Sequence, residues 1–216
     1  MQIYLIRHGE STGNKEKAFQ GWNNVHLSEQ GKIQAKKLAD YLFGEKINLR
    51  IIFSSPLIRA METAEPLTIC STSPDIITVD GFKSINVGEW GGILISRVKE
   101  DFPKEYNIWK HSPTKFRFPK GESLTDVHNR SQASLIHILH KYIDFGGNIA
   151  IVSHMITIKA LALWMLGKNL GNIWKKEYTV PNTGIMVFKV EKEESTDFSF
   201  QRVEINNPIP HLESTI

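Results

Sequence analysis

The chain has 216 residues, 41% hydrophobic and 23% charged, a balance that suits a globular domain with a sizeable buried core. A net charge of +3, with no run of basic residues interleaved with aromatics, argues against a nucleic-acid partner. The single cysteine, Cys70, rules out an intrachain disulfide, and no basic leader precedes the first apolar run, so a cytoplasmic location is expected.

The run Ile3-Tyr4-Leu5-Ile6 reads as a buried strand. Arg7-His8-Gly9-Glu10-Ser11-Thr12-Gly13-Asn14 follows directly, with glycines expected to let the loop turn sharply. His8 then falls at the carboxyl end of a strand, where open α/β sheets place their ligands. Ser28 caps a helix to about Phe43, with Ile33, Leu38 and Leu42 on one face and Gly44 as its stop. Residues 51–54 form a second strand candidate, Pro56 suits the first turn of a helix through Thr63, and residues 76–79 are a third strand candidate.

Between Ile95 and Lys120 the periodicity fails. Phe102, Tyr106, Trp109, Phe116 and Phe118 are mixed there with seven Lys/Arg against three Asp/Glu. The stretch is either a surface insertion or a cap that supplies substrate contacts. Ser123 opens a long amphipathic helix to about Tyr142, and residues 149–153 and 156–166 read as strand then helix, closed by Gly167. That apolar stretch carries Ser153, His154, Thr157 and Lys159, a load that speaks against a membrane span. Residues 185–190 and 198–205 read as a closing β-pair joined by a charged turn, and the tail from Asn207 as loose. The order predicts an α/β fold, a three-layer α/β/α sandwich with a mostly parallel central sheet. We expect one domain over residues 1–206 with a cap insertion at about 93–120, followed by a tail at 207–216.

An arginine beside a histidine, followed by glycines and short polar residues, can hold a phosphoryl group and attack it. Three more segments fall at predicted strand-to-helix junctions: Ser54-Ser55-Pro56-Leu57-Ile58-Arg59-Ala60-Met61-Glu62-Thr63-Ala64, Val152-Ser153-His154, and Gly88-Glu89-Trp90-Gly91-Gly92. With Leu27-Ser28-Glu29-Gln30-Gly31, Gln34-Ala35, Gly121-Glu122-Ser123 and Asn182-Thr183-Gly184, this ordered set resembles the phosphoglycerate-mutase-like branch of the histidine phosphatase superfamily. The resemblance runs from about Gln2 to Val190.

It implies that His8 is the nucleophile and forms a phosphohistidine that water hydrolyses. It also implies that Arg7, Arg59 and His154 converge on the phosphoryl oxygens, where phosphoryl transfer needs positioned positive charge. Ser11 and Asn14 would add neutral donors, with Gly21 and Met155 among the residues binding phosphate or substrate. Many relatives have Gly where Met155 stands, but a backbone amide donates equally well from either. A carbonyl near His8, that of Gly9, would orient the ring through its other nitrogen. No cofactor and no metal are implied. Glu122 caps or braces the helix after it, and Trp22, Trp164 and Trp174 read as core or pocket wall. His137 and His140 stand three apart on a helix without an apparent third ligand, which suits a solvated face better than a metal pair.

One position departs from the family pattern. Many relatives read Leu-x-Glu-x-x-x-Gly-x-Trp-Glu-Gly, where that Glu gives a proton to the leaving oxygen. Here the residues are Phe82-Lys83-Ser84-Ile85-Asn86-Val87-Gly88-Glu89-Trp90-Gly91-Gly92, so Ser84 takes the acid's place. Three explanations stay open at this level: a neighbouring acid (Glu89 or Asp80) substitutes, the substrate has a good leaving group, or the protein mainly binds phosphorylated ligands. The expected function is a metal-independent phosphatase of small phosphorylated metabolites. A mutase-type phosphotransferase and a phosphate-binding protein with weak catalysis are the alternatives. The Asn-Glu-Arg-His-Tyr-Gly-like segment typical of the mutases is absent. The lysines and arginines of the 97–120 stretch are either plain surface charge or a reader of a second negative group, such as a carboxylate or another phosphate. The oligomeric state is left open, with a homodimer among the options.

Overall fold

The structure is a computed structural model that describes residues 1–73, 75–193 and 198–203. In chain order its elements are β1 (Gln2–Arg7), α1 (Thr12–Lys15), α2 (Glu29–Gly44), β2 (Leu49–Ser54), α3 (Ile58–Ala64) and β3 (Ile76–Thr78). After these come α4 (Ile95–Asp101), α5 (Pro103–His111), α6 (Leu124–Tyr142), β4 (Asn148–Ser153), α7 (Met155–Met165), β5 (Ile185–Lys192) and β6 (Phe198–Val203). Part of the charged turn before β6 and the tail from Asn207 lie outside the described residues.

Alternation along β1 sets the layers. Ile3 and Leu5 enter one core and Tyr4 and Ile6 the other, all of them buried. A strand buried on both faces needs helices on both sides. Leu38 and Leu42 of α2 and Ala60 and Ala64 of α3 cover the Tyr4 and Ile6 face. Leu135 and Leu139 of α6 and Ile158 and Leu161 of α7 cover the other. The sheet runs β3-β2-β4-β1-β5-β6, with β3, β2, β4 and β1 parallel and β5 and β6 antiparallel. This is the expected α/β sandwich. No helix among the described residues is long and apolar enough to cross a membrane.

Some local expectations shift. Ile33 of α2 is 49% exposed, so the apolar face of that helix is narrower than the sequence suggests. Gly44 is the last helical residue rather than the one beyond it. α3 starts at Ile58 after an extended Leu57, because the Ser55 backbone is still tied to β4 by an N–H bond to Val152 O at 2.9 Å. Pro56 therefore lies in the turn before the helix.

The 95–120 stretch is not irregular: α4 and α5 form there, with Pro103 at the first position of α5. Helices of seven and nine residues are too short to display a clear period. Trp109 of α5 joins the core on the α6 and α7 side, where it meets Phe118 at 4.9 Å and Trp174 at 5.0 Å between ring centroids. Trp90, 1% exposed, meets Phe118 at 5.2 Å. Gly88 lets this happen: its φ is +50°, and a Cβ there would come within 1.9 Å of Pro119 O. The Gly88-x-Trp90 segment thus packs Trp90 against Phe102, Phe116 and Phe118 of the 95–120 stretch.

Candidate active site

Register across the parallel strands gathers the junction residues. Arg7 pairs with Ser153 across β1 and β4, and Ser54 with Val152 across β2 and β4. His8, Ser55 and His154 therefore leave the sheet side by side at its carboxyl edge. His8 N–H donates to Ser153 O at 3.0 Å, which fixes the octet to β4.

The His8 ring is buried, and its Nδ1 lies 2.7 Å from Gly9 O, where the sequence reading puts it. A carbonyl only accepts, so Nδ1 carries the proton and Nε2 keeps its lone pair free for attack. Burial pushes the His8 pKa well below its usual 6.5, and the charges of Arg59 and then Arg7 push it further. The imidazole is neutral at physiological pH and so is a competent nucleophile.

Gly9 does not take a left-handed φ. Its role is close approach, because a Cβ there would sit 2.7 Å from Gly31 O at the start of α2. Gly9 N–H donates to Thr63 Oγ1 at 3.0 Å, and the Thr63 hydroxyl donates to Arg59 O at 2.7 Å. Thr63 thereby ties the His8 loop to the helix that carries Arg59.

A cavity of about 320 Å³ opens at this edge, lined among others by Arg7, His8, Asn14, Gly21, Ser84, His154 and Met155. The Asn14 carbonyl accepts from the Ser11 N–H at 3.2 Å and lies 3.0 Å from the Ser11 hydroxyl, which leaves the amide NH2 as a donor. Ser11 itself does not line the cavity. It caps α1, and its hydroxyl also lies 2.8 Å from Gln20 Oε1, so it shapes the loop that presents Asn14. Gly21 has φ +52° and would clash with Val87 if it carried a Cβ.

Arg59 sits behind the wall. It is 1% exposed and donates to Asn23 O and Gly21 O, both at 2.9 Å. Arg7 NH1 donates to Val180 O at 2.9 Å. Among the described residues neither guanidinium pairs with a carboxylate, and the Nε of each is buried without a partner. Burial alone lowers both to about 10, so both stay charged near neutral pH. A buried and a half-buried cation without a counterion are costly, and an arriving anion relieves that cost.

His154 Nε2 lies 2.8 Å from Ser55 Oγ, an oxygen that accepts from the Leu57 N–H at 3.3 Å. The Ser55 hydroxyl can donate to Nε2 or accept from it, and in either case Nδ1 of His154 is buried without a protein partner. Its ring centroid is 5.0 Å from that of His8. Burial, Arg59 and His8 together hold His154 well below the usual histidine range. It is therefore neutral near physiological pH.

The candidate proton donors lie elsewhere. Glu89 is absent from the cavity wall, and its half-exposed carboxylate pairs with Lys120 Nζ at 2.7 Å. Asp80 is exposed and pairs with Lys83 at 3.0 Å. Among the described residues no carboxylate lines the cavity, whereas Ser84 does. Glu122 neither caps α6, which Ser123 and Asp126 do, nor enters the cavity. It binds Asn86 N–H at 2.7 Å and Arg130 Nε at 2.8 Å. Arg130 in turn donates to Gly81 O and Ser84 O, at 2.7 and 2.9 Å. Trp22 Nε1 also donates to Ser84 O, at 2.7 Å, Trp174 lines the cavity, and Trp164 packs on Phe200. His137 and His140 are both exposed, and among the described residues no cluster of His, Cys, Asp and Glu is placed to hold a metal.

Comparison with known proteins agrees with this geometry. The model of the histidine phosphatase superfamily (branch 1) matches residues 3–202. Phosphoserine phosphatase 1 of Hydrogenobacter thermophilus is 34% identical, over 81% of this chain and 80% of its own. A 2,3-bisphosphoglycerate-dependent phosphoglycerate mutase of Mesorhizobium japonicum is 29% identical, over 94% of this chain and 98% of its own. Among solved structures, Bacillus stearothermophilus YhfR superimposes with a TM-score of 0.85 at 25% identity, covering 98% of this chain and 99% of that one. The family model spans nearly all of the described residues, and the chain belongs to the histidine phosphatase superfamily, branch 1.

Proposed function

We propose that the chain is a metal-independent phosphatase that hydrolyses phosphomonoesters of small metabolites through a phosphohistidine on His8. The observation that carries this is the tautomer. Nδ1 of His8 is committed to Gly9 O, and Nε2 is left bare near the guanidiniums of Arg59, buried, and Arg7, half-buried, neither of which pairs with a carboxylate among the described residues. In the first step the Nε2 lone pair forms the N–P bond as the ester P–O bond breaks, and the leaving oxygen departs with its electron pair. In the second, water attacks phosphorus, the N–P bond breaks back to neutral imidazole, and both water protons leave on inorganic phosphate. Arg7 and His154, in the tautomer with Nδ1 protonated, would hold the oxygens over which charge spreads, and Arg59 behind the wall would add positive charge. Likeness to a phosphoserine phosphatase supports water rather than product as the acceptor. A mutase-type return of the phosphoryl group is the competing outcome, for which the mutase relative speaks. A reducing cytoplasm is the compartment we propose, on the buried free thiol of Cys70.

The test uses p-nitrophenyl phosphate, whose phenolate leaves without help. Turnover is expected to be unchanged in EDTA, and rapid quenching should trap an acid-labile phosphoryl label on the protein. No turnover would end the enzyme reading, and loss of turnover in EDTA would end its metal independence.

The absence of a carboxylate around the cavity leads to a second expected outcome. An alkyl leaving group departs as a strongly basic alkoxide unless an acid protonates it, and such an acid is worth roughly 10²–10⁴ in rate. We expect kcat for p-nitrophenyl phosphate to exceed that for a primary alkyl phosphate by about 10²-fold or more. Ser84→Glu is expected to recover about tenfold of the alkyl rate. Equal wild-type rates on the two substrates would show that another group donates the proton.

A further inference from the structure

One of the seven basic side chains in the cap stretch has a different environment from the rest. Arg97, Arg117 and Lys120 are paired with carboxylates, and Lys99, Lys104 and Lys115 are exposed. Lys110 is half-buried and lines the same cavity as His8. Its Nζ lies 4.1 Å from the centre of the Trp174 ring, and no carboxylate among the described residues pairs with it. Lys159 Nζ, buried and donating to Ile173 O at 3.0 Å, flanks the same ring at 5.6 Å. The cap end of the cavity thus carries positive charge and no negative charge. Its walls between that charge and the histidines are largely apolar and aromatic, among them Phe19, Tyr106, Trp109 and Phe118.

We propose that the leaving portion of the substrate is a flat apolar body, aromatic in character, with a carboxylate at the end away from the phosphate, and that Lys110 is the residue that reads this carboxylate. The proposal rests on the reading that the phosphoryl group sits at His8. A small cavity, near the lower end of the roughly 300–1,000 Å³ range of ligand sites, suits a one-ring molecule better than a peptide or a polymer. The aromatic walls suit a ring, which stacks offset or edge-on against them. A carboxylate pairs with an ammonium that has no other anionic partner. A substrate with an ammonium at that end would meet Lys110, with no carboxylate among the described cavity-lining residues to receive it. Selection thus favours anionic over zwitterionic leaving groups.

Binding tests this without depending on turnover. Titration calorimetry would compare 4-(phosphonomethyl)benzoate with benzylphosphonate, neither of which can be hydrolysed, on the wild type and on Lys110→Met and Lys110→Arg. The wild type is expected to bind the carboxylated compound about tenfold more tightly or better. In Lys110→Met the two should bind within about twofold of each other, and Lys110→Arg should keep most of the preference. Equal wild-type affinities, a preference that survives in Lys110→Met, or no binding of either compound would overturn the proposal. If the preference appears and p-nitrophenyl phosphate is not hydrolysed, the phosphatase reading falls and this one stands.

Discussion

Replacing His8 with alanine is expected to lower kcat/KM for p-nitrophenyl phosphate by at least about 10⁴-fold, because losing the nucleophile removes the covalent route entirely. Loss of fold is not expected to mimic this. The backbone of His8 is held independently of its ring, by its N–H to Ser153 O and by Asn182 Nδ2–H to its own carbonyl at 2.9 Å. Arg7, Arg59 and His154 also remain, so vanadate or inorganic phosphate should still bind the variant. No phosphoryl label should be trapped on it. Steady-state kinetics with a quench-flow trap, beside an unfolding curve for each protein, measures all of this. A fall of less than about tenfold would place the nucleophile elsewhere.

Much of this site was legible because its parts occupy ends of strands. A short apolar run followed by Arg7-His8-Gly9, or by Ser153-His154, announces both the element and its junction, and parallel pairing then brings the junctions together. What stayed hidden depends on distance in the chain or on side-chain direction. Arg130 gave no local signal. It matters because α6 lies against the 81–86 segment, where it holds the carbonyls of Gly81 and Ser84. Glu89 looked available because it is five residues from Ser84, but the Gly88 turn commits Trp90 to the aromatic core and leaves Glu89 with Lys120. Ser11 is polar and close in sequence to His8, yet its hydroxyl is used up in capping α1. The cap helices escaped because each is at most about two and a half turns long, too short for an apolar period to rise above an aromatic-rich composition.

Arg59→Ala carries the second large expectation, a fall in kcat/KM of about 10³-fold together with a displaced pH profile. The fall alone would be ambiguous, since Arg59 also holds the carbonyls of Gly21 and Asn23, and a loosened loop would slow the reaction as well. The profile is the sharper measurement. His8 attacks only when neutral, so kcat/KM rises as the pH climbs through its pKa in the folded protein. Burial is the largest cause of the lowered value, and Arg59 contributes more than Arg7. A nearby positive charge opposes protonation, so its removal lets His8 hold a proton to higher pH. Water entering the space left by the side chain acts in the same direction, by weakening the desolvation. The acid limb should therefore lie well below pH 6.5 in the wild type and move up toward that value in Arg59→Ala. The second ionisation of the phosphoryl group also falls near pH 6, but it belongs to the substrate and is common to both enzymes, so the difference between profiles isolates the protein. Arg59→Lys keeps the charge without the planar fork and should restore the limb more fully than the rate. An unmoved limb in Arg59→Ala would reduce Arg59 to a brace for the 21–23 loop and leave Arg7 as the cation that acts on His8.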